Sequence, residues 1–254
     1  MIKIKSATQI EQMKKAGALS KMALRHVGAM VRPGVSTFEL DQLAEQIIRM
    51  HGGTPAFKGY GGFPGSACIS INEEVIHGIP GPRKLKEGDI VSVDVGAYIG
   101  GFHGDCAATY PCGQVSDEAM RLIKVTQQSF WEGIKNARKG CRVSDIGHAV
   151  QAYVEANGFS VVRDFVGHGV GAKLHEPPEV RNYGPAGHGP RLLPGMTIAV
   201  EPMVCAGDWQ VKVLADKWTT VSLDGSLTAH YENSILITDG EPEVLTVTED
   251  GAYV

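Results

Sequence analysis

The chain of 254 residues is 43% apolar and 20% charged, with a formal charge of -4, an ordinary globular profile that excludes intrinsic disorder. The basic residues are scattered rather than gathered into a stripe, which excludes a direct nucleic-acid role, and no window reaches the ~18 uncharged apolar residues of a membrane span. Five cysteines without a CxxC pair supply neither a disulfide framework nor a thiolate zinc site. The first stretch, Met1-Ile-Lys-Ile-Lys, lacks the apolar core of a signal peptide, so a reducing cytoplasmic setting is expected. No low-complexity linker interrupts the chain, and a single compact domain over residues 1–254 is expected; this length buries enough surface to need no staples.

Residues 8–31 carry apolar side chains at helical spacing (Ile10, Met13, Ala16, Leu19, Ala23, Val27) and stop at Arg32-Pro33-Gly34, where proline and glycine break a helix. Ser36 and Glu39 form an S-x-x-E capping box before a second helix that runs out at His51-Gly52-Gly53. Strands are expected at 66–71, 90–95 and 102–110, the last two joined through Gly100-Gly101 as a hairpin that sets Asp94 and Asp105 on adjacent strands. A third helix over 116–139 ends at Gly140, a fourth runs from Val143-Ser144 to Gly158, and strands follow at 160–165, 197–204 and 229–238. Strands mixed with long helices make the fold class α+β.

The chain also repeats itself. Leu85-Lys-Glu-Gly-Asp-Ile-Val-Ser-Val-Asp94 lies over Leu192-Leu-Pro-Gly-Met-Thr-Ile-Ala-Val-Glu201 at an offset of 107 residues (85 to 192, 94 to 201), and Val35-Ser36 lies over Val143-Ser144 at an offset of 108. Each longer segment is a turn glycine feeding an apolar strand that ends in a carboxylate. Chance is the competing account, because such strand openings are common; a duplicated helix-helix-strand unit accounts for more of the pattern. The halves would be roughly 1–112 and 113–254. About a pseudo-twofold axis, Asp94 and Glu201 would face each other, each at a strand end.

Asp94, Asp105, His168, Glu201 and Glu232 form the candidate metal set. Four carboxylates and one imidazole suit divalent ions of hard or borderline character, and four clustered carboxylates are neutralised by two such ions. Asp and Glu are ordinarily solvated surface residues, a reading that is weak for Asp94 and Glu201 because each follows an apolar strand. His168 stands in Gly167-His-Gly-Val-Gly171, where glycines permit close backbone approach. His175, in Leu174-His-Glu-Pro-Pro178, and His77, in Glu74-Val-Ile-His-Gly-Ile-Pro80, sit beside turn-forming residues, which by themselves also fit loop histidines. His103 reads as structure.

Taken together, Ile69-Ser-Ile-Asn-Glu-Glu-Val-Ile-His-Gly-Ile-Pro80, Val93-Asp94-Val-Gly, Gly101-Phe-His-Gly-Asp105, Gly167-His-Gly-Val-Gly171, Leu174-His-Glu-Pro-Pro178, Glu201-Pro202 and Tyr231-Glu232 resemble the methionine aminopeptidases of the bacterial, type I kind. The likeness spans nearly the whole chain in order. It implies the pseudo-twofold pita-bread fold and hydrolytic removal of the initiator methionine from peptides and nascent chains. It implies two divalent ions (Fe, Mn, Co or Zn), with Asp105 and Glu232 bridging, Asp94 completing one ion and His168 with Glu201 the other. Glu201 would also serve as general base and acid, His175 would stabilise the oxyanion, and His77 would hold the substrate backbone. The free α-amine would bind at the Asp94 ion, so an acetylated terminus is expected to be refused. The methionine pocket would involve Tyr60, Phe63, Cys68 and Trp218, polarizable neighbours for a thioether. Phe63 and Leu174 depart from the family pattern, which has a tyrosine and an aromatic there.

Two other readings stand beside this one. Proline-specific (Xaa-Pro) aminopeptidases and prolidases share the fold but carry a large amino-terminal domain for which this chain offers no room. A catalytically inactive binding homologue would show broken ligands, and all five are intact. A type II enzyme would need a helical insertion between His175 and Glu201, where only 26 positions separate the two (175 to 201). A monomer is expected, and the scattered basic residues permit transient ribosome association.

Overall fold

Four helices realise the apolar periodicity: α1 (Ala7–Met30), α2 (Thr37–Met50), α3 (Asp117–Ile134) and α4 (Val143–Ala156), in a computed structural model that describes residues 1–248. Ser36 opens α2 with the expected capping box: its hydroxyl accepts from the Glu39 amide at 3.2 Å, and the Glu39 carboxylate accepts from the Ser36 amide at 2.8 Å. Ser6 opens α1 in the same way with Gln9, so first-turn amides that would lack partners are satisfied. α3 ends at Ile134 rather than at 139. The Asn136 and Ala137 amides bond back to Gly133 and Ile134 at 3.0 and 2.8 Å, a tightened last turn that drives Ala137 fully into the core. Among the described residues no helix is long and apolar enough to cross a membrane.

The helices cover an antiparallel nine-stranded sheet. Along its path lie Thr54–Pro55, Ile90–Ile99, Phe102–Pro111, Glu232–Leu236, Thr197–Val200, Gly167–Gly169 and Glu176–Val180, with Ala67–Ile71 beside the second and Glu243–Val244 beside the fourth. The central hairpin holds an unbroken register from Ile90 opposite Pro111 to Ile99 opposite Phe102. Gly100 and Gly101 turn it with φ of 61° and 87°, the positive pair of a type I′ turn. The first strand therefore runs to Ile99, beyond the expected 95.

A pseudo-twofold axis passes between Phe102–Pro111 and Glu232–Leu236. Outward on one side lies Ile90–Ile99 and on the other Thr197–Val200, the two strands matched by the 107-residue repeat, and α1–α2 have their counterparts in α3–α4. This is the expected α+β pita-bread arrangement with internal duplication. α1 lies against the hairpin so closely that a Cβ on Gly104 would stand 2.5 Å from the Ala16 carbonyl, and the Ser20 hydroxyl accepts from the Ala97 amide at 3.0 Å.

Several strands depart from expectation for reasons that matter to the site. The stretches 197–204 and 229–238 each break in the middle, into Thr197–Val200 and Met203–Cys205 around Glu201-Pro202, and into Thr228–His230 and Glu232–Leu236 around Tyr231. Pro202 has no amide to donate, the Tyr231 amide bonds the Pro202 carbonyl at 3.2 Å, and the outer pieces pair with each other and with Ser160–Val161 in a separate sheet. The expected strand 160–165 shrinks to that pair. Gly167–Gly169 and Glu176–Val180, outside the strands expected from the sequence, are strands: a Cβ on Gly167 would fall 2.4 Å from the Ala199 carbonyl, so glycine is what lets this strand approach its neighbour. A third sheet joins Val211–Val213, Thr220–Ser222 and Glu74–Ile76.

Gly104→Ala tests the closeness of α1 to the hairpin. Overpacking of this kind costs about 1–3 kcal/mol, so the urea midpoint should fall accordingly; an unchanged midpoint would contradict the close approach.

Candidate functional site

Strand register, more than loop geometry, assembles the acidic cluster. Asp94 is opposite Ala107 on the hairpin, and Ala107 is in turn opposite Glu232. Val200 is opposite Asn233, so Glu201 follows in the row with Glu232 just where its strand breaks. Asp105 precedes Ala107 by two residues and projects to the same face. One row across four strands thus brings three carboxylates to a single face, and Asp105 adds a fourth from the row beside it.

His168 reaches the cluster from Gly167–Gly169. Its Nδ1 lies 2.9 Å from the Gly169 carbonyl, which can only accept, so Nδ1 carries the proton and the Nε2 lone pair faces the acids. Nε2 is 3.5 Å from Glu201 Oε1 and 3.7 Å from Asp105 Oδ2. Burial, with the adjacent His175, pushes this imidazole down to about 4, leaving it neutral and able to ligate. Ligand atoms of Asp105, His168 and Glu232 lie within 4.8 Å of one another.

The carboxylates are electrostatically uncompensated by the protein. Burial raises Asp94 from its ordinary 3.8 to about 8. Burial and the neighbouring acids push Asp105, Glu201 and Glu232 well above their ordinary values. Asp94 Oδ1, Asp105 Oδ1 and Glu232 Oε1 are covered and have no hydrogen-bond partner. A buried carboxylate oxygen without a donor carries a large desolvation penalty, and oxygen-liganded divalent cations relieve it. The donor set and its orphaned oxygens fit such ions.

A cavity of about 240 Å³ opens beside the acids. Phe63 (3% exposed) and Cys68 (4%) line it. Trp218 stands edge-on to Phe63 at 5.2 Å between centroids. Leu174 packs with Phe57, Phe63 and Cys68 in one apolar cluster. Tyr60, the fourth expected pocket residue, is 47% exposed at the rim, and its hydroxyl lies 2.8 Å from His175 Nδ1. His175 stacks obliquely on His168 at 4.1 Å. His77 has a left-handed backbone, φ 59°, an uncommon conformation for a non-glycine residue that clusters at functional sites. Its ring is edge-on to Trp218 at 6.0 Å and to Phe165 at 5.7 Å, and burial lowers it to about 4.

All eleven residues singled out in the sequence therefore line or border one cavity. Sequence reasoning missed Phe57, Ile76, Phe165 and Val166, which also line it. Three of these have a signal in retrospect: Ile76 precedes His77, and Phe165-Val166 precede Gly167-His168. Phe57 has none.

The sequence profile of metallopeptidase family M24 matches residues 11–239. A methionine aminopeptidase of Clostridium perfringens is 53% identical over 247 residues, covering 97% of this chain and 99% of the relative. Methionine aminopeptidase 1 of Bacillus subtilis is 50% identical over 246 residues, with 97% and 99% covered. The crystal structure of a methionine aminopeptidase from Thermotoga maritima superposes with a TM-score of 0.95 at 48% identity, over 97% of this chain and 99% of that one. With nearly all of its length matched and its acidic cluster built to hold cations, the chain belongs to metallopeptidase family M24.

Proposed function

We propose that this metal-dependent peptidase removes the amino-terminal methionine from peptides and nascent chains, using two divalent ions held by Asp94, Asp105, His168, Glu201 and Glu232. The observation that carries the reading is the set of three partnerless carboxylate oxygens at the edge of an apolar cavity sized for one side chain. We also propose that residues 1–254 act as one catalytic domain whose halves meet near residue 112, in a reducing cytoplasm that suits its five free cysteines.

When bound, the ions would polarise the scissile carbonyl and lower the pKa of water toward neutrality. The remaining chemistry belongs to the side chains. Phe63, Cys68 and Trp218 hold the methionine side chain in a dry, polarizable wall. Glu201, whose carboxyl burial pushes up, takes the proton of the attacking water and returns it to the leaving amine. The Tyr60 hydroxyl, donating to His175 Nδ1, leaves the Nε2 hydrogen free to donate to the developing oxyanion. His77 holds the substrate backbone beyond the cut bond.

Mass spectrometry of peptides beginning Met-Ala, Met-Lys, Leu-Ala, Ala-Pro and acetyl-Met-Ala, with and without chelator, tests the reading. Chelator-sensitive loss of methionine from Met-Ala alone is expected, and Glu201→Gln should slow it by about 10²–10⁴-fold. Cleavage of Ala-Pro instead would make the chain proline-specific, and no cleavage with any divalent ion would make it a binding homologue.

The pKa shifts give a second expectation. Between its ordinary 3.8 and about 8, the folded metal-free chain keeps an Asp94 proton that the unfolded chain has released. The stability this contributes is full below the ordinary value and drains as pH rises through the folded one; the other three carboxyls act in the same direction. The melting-temperature gap between metal-loaded and chelated protein should widen from about pH 6 to about pH 8.5. A constant or narrowing gap would contradict the assignment.

A further inference from the structure

Ahead of α1, the chain is tied into the active-site region by one buried side chain. The Lys5 amide donates to the Gly195 carbonyl at 2.8 Å, and its Nζ lies 2.9 Å from Glu176 Oε2, the two side chains being 5% and 3% exposed. The other Glu176 oxygen accepts from the Lys173 amide at 3.2 Å, with Lys3 Nζ at 3.9 Å. Gly171 faces this pair: a Cβ there would sit 2.8 Å from Glu176 Oε1 and 2.9 Å from Lys5 Nζ. The Gly171 carbonyl accepts from the His103 amide at 2.9 Å and Nδ1 at 3.1 Å, and the Gly171 amide donates to the Lys173 carbonyl at 3.0 Å. The loop 171–176 is thus fastened at both ends, and His175 is the residue directly before the Glu176 anchor.

A buried ion pair is weak evidence of added stability, because desolvation offsets its attraction, while fixing a conformation is an attested use. Here the conformation fixed is that of the loop presenting His175. Tyr60 secures the imidazole of that residue; the ion pair secures its backbone.

We propose that Lys5 is a positioning residue of the reaction: its buried pair with Glu176 latches the 171–176 loop and holds the His175 imidazole where the oxyanion develops. The proposal rests on the role given to His175 above. Displacement by about 1 Å from productive geometry can lower a rate about 10²-fold, so loss of the latch should act on turnover more than on binding.

Lys5→Met removes the cation, and Lys5→Met/Glu176→Gln removes the pair without leaving an unpaired buried charge, so that it tests the latch even if the single variant folds poorly. At matched metal content, on a Met-Ala peptide, both should lower kcat by at least about tenfold with KM within about twofold. Placed in a His175→Ala background, Lys5→Met should add less than about twofold, because residues acting as one unit are non-additive. A general loosening of the fold would persist in that background at full size. The latch is overturned if the double variant keeps kcat within about twofold of the parent, or if the Lys5→Met penalty is undiminished beside His175→Ala. Full activity of His175→Ala alone would overturn the His175 role and the latch with it, which separates the two failures.

Discussion

Placing four carboxyl groups on one face of a sheet, three of them at most 9% exposed, is unfavourable in water-free protein unless positive charge meets them. The surrounding chain supplies very little: the imidazole nearest the acids is held neutral by burial, and three carboxylate oxygens have no donor at all. This unmet demand for cations is the constraint around which the molecule is arranged. It explains why Asp94, Asp105 and Glu232 stand on paired strands, where register fixes them, with Glu201 directly at the end of a fourth. A site that must hold charges close together needs a rigid frame, and the paired hairpin strands are that frame.

The duplication supplies the frame economically. Two copies of a helix-helix-strand unit meet along the axis between Phe102–Pro111 and Glu232–Leu236, so the strand that carries Asp94 in its middle finds its counterpart in the strand that leads into Glu201. The symmetry is broken where chemistry requires it. Glu201-Pro202 and Tyr231 interrupt the strands of the second half, and only that half presents a histidine on the glycine-lined strand Gly167–Gly169. The apolar cavity lies to one side of the acids, walled by residues of both halves such as Phe63 and Trp218, so a single side chain can be held beside the charged face.

Much of this was legible in the sequence because it is local. The Ser36–Glu39 capping box, the Gly100-Gly101 turn and the Leu85–Asp94 repeat each occupy a few consecutive residues, and all appear in the structure as the spacing suggests. The acids on apolar strands were legible for the same reason. What was not legible is tertiary. The breaks at Pro202 and Tyr231 depend on two strands leaving the sheet together, and Gly167–Gly169 is a strand because it pairs with Glu176–Val180 on one side and Thr197–Val200 on the other. The Tyr60 hydroxyl meets a histidine 115 positions away, and Lys5 meets Glu176 across 171 positions. No periodicity carries such pairings, and the early end of α3 likewise follows from Ala137 finding a place in the core.

The most direct test of the central claim is anomalous diffraction from crystals loaded with manganese. The account predicts two peaks per chain, both among Asp94, Asp105, His168, Glu201 and Glu232, with the orphaned oxygens of Asp94, Asp105 and Glu232 turned toward them. An absence of bound metal at this cluster, or metal bound only elsewhere, would contradict it.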